Sequence, residues 1–281
     1  MLLRIFVILL LAATLAAGGW FAVHKLYLQP EERLKADKSL PPPAPPPDPS
    51  LEDFARCMEI HKTKGPRETR TAFEQFLREF PSSTRRDAAY DILGDINAAE
   101  FFAAKPTEAN TYVVKIGDAL SRVANRNKVS TELLVHMNRI NERFLHPNQR
   151  LLVPECSFRM VIRQKAQRIV LYNGDKFFRQ YPIAVWPGAE RKDAIRPKQA
   201  GQVTEKRAFD TNGASIATSQ LSYYGAYHMI LVNIPGRSLH TQPDDPAAIV
   251  QRPPGGGLGM APKHMSEISV LLPVHAPVSM E

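Results

Sequence analysis

Cysteine is nearly absent from this chain, with two residues in 281, Cys57 and Cys156. No Cys-x-x-Cys pair occurs, and no His/Cys spacing suits a structural zinc, so a zinc ribbon and a dithiol redox centre are both excluded. No metal and no cofactor are expected. The two cysteines fall in segments read as separate modules, and a disulfide between them is not expected. Neither follows directly on the N-terminal apolar run, which argues against a lipid-modified N-terminus. Acidic residues are the scarcer charge, 28 against 36 basic, for a net charge of +8. The basic residues are scattered, with no basic run interleaved with aromatics. That favours a solvated basic surface beside an anionic envelope over a nucleic-acid partner. Gly255-Gly256-Gly257 has no Lys-Ser/Thr after it and so is not a phosphate loop.

What is present begins with an uncharged apolar run, Ile5 to Val23, flanked by Arg4 and by His24 and Lys25. At 1.5 Å per residue it spans about 28 Å, close to the hydrocarbon thickness of a bilayer. Two readings compete. One is an uncleaved anchor over 1–27, facing the periplasm or cell wall from the inner membrane. The other is a signal peptide cut near Ala16-Ala17-Gly18, which would release the chain. Trp20 suits a membrane interface and favours the anchor. Residues 28–50 contain Pro41-Pro42-Pro43-Ala44-Pro45-Pro46-Pro47, an extended polyproline spacer. Residues 51–105 read as a hairpin of two amphipathic helices broken at Pro81-Ser82-Ser83. It is weakly similar to a single tetratricopeptide repeat, and an envelope protein partner is one reading of it.

Residues 111–154 carry the strongest pattern. A strand at Tyr112-Val113-Val114-Lys115 turns at Gly117-Asp118. Apolar residues then recur at helical spacing (Leu120, Val123, Ala124; Leu133, Leu134, Met137), and a second strand, Arg150-Leu151-Leu152-Val153, stops at Pro154. This βααβ module closely resembles a LysM domain. Tyr112, Gly117-Asp118, Leu120, Val129-Ser130, Leu133, Asn138, Pro147, Gln149 and Val153-Pro154 fall in the family's order. Ala119 stands where Thr is usual, and Asn148 where Gly is usual. Asn tolerates the left-handed turn that Gly would supply. The resemblance implies binding of peptidoglycan glycan strands through Gly117, Asp118, Ala119, Leu120, Asn138, Ile140 and Asn141.

After Pro154 the pattern turns to β, with strands at Phe158–Ile162, Gln167–Tyr172, Lys176–Val185, Gly201–Val203, Met229–Ile234 and Ser269–Val278. Residues 157–281 resemble an L,D-transpeptidase catalytic domain, through Tyr181-Pro182-Ile183-Ala184-Val185, the looser Ile195-Arg196-Pro197, and Ser238-Leu239-His240-Thr241. The family's closing Ser-x-Gly-Cys-x-Arg is degenerate here. His240 and Gly259 are kept, Met260 stands at the nucleophilic cysteine, and Pro262 at the arginine. A thioether has no proton to lose and forms no stable acyl intermediate. The aromatic cluster Tyr223 to His228 reads as core.

The expected architecture is a multidomain α+β chain: membrane helix, helical hairpin, βααβ LysM module and mostly-β L,D-transpeptidase-like domain. The expected function is an inactive, peptidoglycan-binding envelope protein. The alternative is a transpeptidase with an unorthodox nucleophile, for which Cys156 and Ser238 are the weak candidates.

Overall fold

The computed structural model describes residues 2–25, 48–140, 145–186, 198–217, 220–245, 252–253 and 256–281, with side chains described from 13 onward in the first helix. Two compact units result, Met1–Asp48 and Pro49–Glu281. In the first, α1 (Leu2–Val23) is helical throughout. Its described side chains cover only about 16 Å of helix. Among the described residues, no helix is long and apolar enough to cross a membrane. Much of the expected span therefore lies outside the described side chains, as does most of the proline-rich spacer.

The second unit opens with three helices, α2 (Ser50–Thr63), α3 (Pro66–Glu79) and α4 (Arg86–Phe102). The expected two-helix hairpin is corrected here. Pro66 cannot continue a helix, holds Gly65 extended, and starts α3 at the first helical position, where its missing N–H costs nothing. Phe73, Phe76, Cys57, Ala89 and Leu93 form the core of this bundle. Helix α4 lies on β5 (Lys176–Pro182). Asn97 Nδ2 donates to the Phe177 and Phe178 carbonyls at 3.2 and 2.8 Å, and Arg168 pairs with Asp91 at 3.0 Å.

The βααβ module follows as β1 (Thr111–Val113), α5 (Leu120–Arg126), α6 (Thr131–Asn138) and β2 (Arg150–Leu152), with β1 antiparallel to β2 and Tyr112 opposite Leu151. The rest is an eight-stranded sheet. Its strands are β3 (Phe158–Arg163), β4 (Arg168–Asn173), β5, β6 (Gln199–Phe209), β7 (Tyr227–Val232), β8 (Leu239–Thr241), β9 (Leu258–Met260) and β10 (Pro277–Met280), in spatial order 5-4-3-10-6-7-8-9. Its two ends meet. The chain leaving β5 pairs with β9, where Val185 N–H donates to the Gly259 carbonyl at 3.1 Å and Gly259 N–H returns to Val185 at 2.8 Å. Covering both edges removes open pairing surface. It also requires glycine at 259, because a Cβ there would stand 2.8 Å from that of Val185. The expected strand over Ser269–Val278 is corrected. Ser269 to Leu271 close helix α7 (Pro262–Leu271), and the strand starts at Pro277. From Met265 to Leu271 this helix is buried on every side, so its apolar run reads like a buried strand.

Helix α7 is covered by the βααβ module. Ser130 donates to the Val270 carbonyl, and Lys206 on β6 pairs with Glu132 on α6 at 2.9 Å, both side chains buried. His136 stacks on Tyr224 with ring centroids 4.3 Å apart. One apolar cluster runs from Val123, Leu133 and Leu134 through Val270 and Leu271 to Ile230 and Met160.

Candidate functional site

The loop from β1 to α5 is the open end of the small module. Gly117 adopts φ +83°, a conformation L side chains avoid, and nothing lies within 4 Å of where its Cβ would be. Beside it, Ile116 is 91% exposed, more than any other large apolar side chain among the described residues, and Val113 is 45% exposed. Asp118 shapes this loop from beneath. Its carboxylate accepts from the Tyr112 hydroxyl at 2.6 Å and from Lys115 N–H at 2.9 Å, and it pairs with Arg126 at 3.2 Å. The Tyr112 hydroxyl, the Lys115 N–H and the Arg126 charge hold its pKa below the usual carboxylate value. Ala119 precedes α5 and offers no capping side chain.

The other residues expected to touch glycan hold the module together. Leu120 and Ile140 are buried. Asn138 fastens α6 to β2, donating to the Leu134 and Leu152 carbonyls at 2.9 Å and accepting from Leu152 N–H at 2.7 Å. Asn141 lies outside the described residues. Asn148 takes φ +70°, so the amide does stand in the left-handed position. Ile116 was missed by the sequence reading. An apolar residue between Lys115 and the Gly117-Asp118 turn was the available signal.

In the β domain, His240 and Gly259 are register partners on parallel β8 and β9, and Thr241 faces Met260. Met260 is completely buried. Gln242 N–H donates to its carbonyl at 2.7 Å. His240 Nδ1 is buried without a hydrogen-bond partner, and burial, aided by Arg252, pushes its pKa down to about 4. Pro262 is the first residue of α7, a position that suits proline. It brings no cation. Ser238 is occupied as an acceptor, with Val232 N–H donating to its hydroxyl at 3.2 Å. Both thiols are free. Burial raises the Cys57 thiol and pushes Cys156 up to about 12, the opposite of what a nucleophile needs. The motif at Ile195-Arg196-Pro197 lies outside the described residues.

No curated protein matches the chain by sequence. Among solved structures, it is similar to an L,D-transpeptidase from Mycobacterium smegmatis at 13% identity and TM-score 0.30, over 47% of this chain and 61% of that one. An L,D-transpeptidase of Enterococcus faecium aligns at 14% identity and TM-score 0.30, over 50% and 56%. One from Xylanimonas cellulosilytica aligns at 11% and 0.29, over 63% and 100%. The chain spans about six tenths of the length of the first of these structures. The family model for the LysM domain matches residues 112–154, the β1–β2 module with its open 116–119 loop. Residues 112–154 are a LysM domain.

Proposed function

We propose that this chain is an envelope protein that grips peptidoglycan glycan through its LysM domain and uses the β domain as a scaffold without transpeptidase chemistry. The LysM match, with Ile116 and Gly117 exposed at the open loop, carries the reading. Three further observations support the second half. Met260 has no ionisable proton, Pro262 supplies no cation, and burial raises both cysteine thiols away from the thiolate form. An N-terminal anchor belongs to the same proposal. Every described side chain of α1 from 13 to 22 is exposed, with Leu15, Trp20 and Phe21 at 75%, 68% and 60%. Apolar surface of that kind calls for a lipid or protein cover.

The test is incubation of the purified chain with peptidoglycan sacculi and tetrapeptide muropeptides. Co-sedimentation is scored, and products are read by mass spectrometry. The expected outcome is co-sedimentation with no new cross-links and no trimmed peptides. New cross-links would overturn the scaffold reading. Their loss after thiol alkylation would then assign the chemistry to Cys57 or Cys156.

A further inference from the structure

Two clefts follow the seam between the LysM domain and the β domain, and another lies next to them beside α4. One, of about 820 Å³, lies between β1, the end of α5 and the β4–β5 turn. It shares Asn173 and Lys176 with a second of about 770 Å³ beside α4, and Lys128 and Ser157 with a third of about 700 Å³ beside β6 and the 273–277 segment. Each has the volume of a small-molecule site, and the shared lining residues set them side by side, an arrangement that suits a polymer.

Charge narrows the choice of polymer. Along the three walls, five basic side chains are matched by five acidic ones. A polyanion such as nucleic acid needs a basic excess. The most buried of the basic groups, Lys206, is fully engaged by Glu132 and two carbonyls and has no donor to spare. The middle cleft is lined by the Asn127 amide, whose nitrogen is held by the Val123 carbonyl, the Asn173 amide, whose oxygen is held by Ser157 N–H, the Ser157 hydroxyl, Tyr112, and the exposed side chains of Lys128 and Lys176. The main-chain groups of Glu155 and Cys156 in the same wall make no hydrogen bond among the described residues. Uncharged acetamido sugars, with hydroxyls, amides and apolar ring faces, match such a lining.

Tyr112 supplies continuity with the loop already described, since it lines the cleft and donates its hydroxyl to Asp118. Lys128 follows the far end of α5, about 10 Å of helix from Ala119. We propose that the LysM–β-domain seam is a second glycan-contacting surface, centred on Tyr112, Asn127, Lys128, Ser157, Asn173 and Lys176, that extends the hold of the 116–119 loop to a longer stretch of acetamido-sugar polymer. The inference rests on the glycan-binding reading of the LysM domain.

The test is calorimetric titration of the full chain in detergent with N-acetylglucosamine oligomers of about four and about eight units. The comparison is a variant combining Lys128→Asn with Lys176→Ser. Asn tolerates the φ of 56° at position 128, and both lysines are exposed, so the fold is kept. The wild type is expected to bind the long oligomer about tenfold more tightly than the short one, the scale of one hydrogen bond to a charged donor. The variant should lose that increment while holding the short oligomer as before. An increment that survives in the variant overturns the seam proposal and leaves the LysM reading intact. Equal affinity of the wild type for the two oligomers also overturns it. Failure of the wild type to bind either oligomer would overturn the LysM reading itself.

Discussion

Lys206 gives its ammonium to Glu132 at 2.9 Å and to the Ser269 and Leu272 carbonyls at 2.6 and 2.8 Å. It thereby caps the last turn of α7 and joins β6 to the LysM domain. Burial pulls its pKa below the ordinary value, and the Glu132 carboxylate opposes that shift. In such a pair the attraction roughly offsets the cost of desolvation, but removing one partner strands a buried charge. Glu132→Ala should therefore cost about 3–5 kcal/mol, read from urea unfolding. Combining Glu132→Leu with Lys206→Met should recover most of that loss. A cost near zero for Glu132→Ala would mean that water reaches the ammonium and the seam is open. Nothing in the one-dimensional pattern announced this pair. Glu132 lies in the first turn of α6 and Lys206 within β6, and only the docking of α6 on α7 brings them together.

Helix α6 begins at Ser130, whose hydroxyl accepts from Leu133 N–H at 3.0 Å and donates to the Val270 carbonyl. The two roles can be separated. Glycine is nearly as good as serine at a helix start, so Ser130→Gly mainly tests the bond to α7, whereas Ser130→Ala loses that bond and the cap. The glycine variant should cost about 1 kcal/mol and the alanine variant about 2 kcal/mol in thermal or urea unfolding. Equal costs would show that the cap contributes nothing. At this scale the LysM elements were legible, because each of its strands and helices has its own turn residue: Gly117, Ser130 and Asn148. The early β strands were legible for the same reason, through Asn173-Gly174. The strands β8 and β9 were not found by periodicity, since three residues each are too few to show a period. The break between α2 and α3 was written in Gly65-Pro66, within the polar stretch His61 to Thr71. Asp118 and Asn138 were read as site residues from their position in the module. Their side chains turn out to be spent on Tyr112 and Leu152, which no spacing could indicate.

Within Pro49–Glu281, the LysM core and the β-domain core are one cluster, so these two should lose their structure together, while the α2–α4 bundle keeps a cluster of its own. Histidine gives this unit its pH dependence. His136 lies between Phe102 and Tyr224, with ring centroids 5.3 and 4.3 Å away, and burial, with Arg139 nearby, lowers its pKa. Burial likewise pushes His228 and His240 down to about 4, and lowers His264. All four are neutral in the folded chain near neutral pH, while in the unfolded chain they take up protons around 6.5. The unfolded state therefore binds more protons between 6.5 and about 4, and stability must fall as pH falls through that window. His228 alone accounts for about 3 kcal/mol by the bottom of it. The carboxylate of Asp118, lowered from 3.8, begins to be lost only below this range and adds to acid unfolding there. Chemical denaturation at pH 7.5, 6, 5 and 4.5 should show a midpoint that drops steadily below pH 6.5. His228→Gln should flatten the slope, having nothing to protonate in either state. A midpoint that held constant down to pH 4.5 would mean that the buried imidazoles can be charged in place, and that the seam between the LysM domain and the β domain admits water when they are.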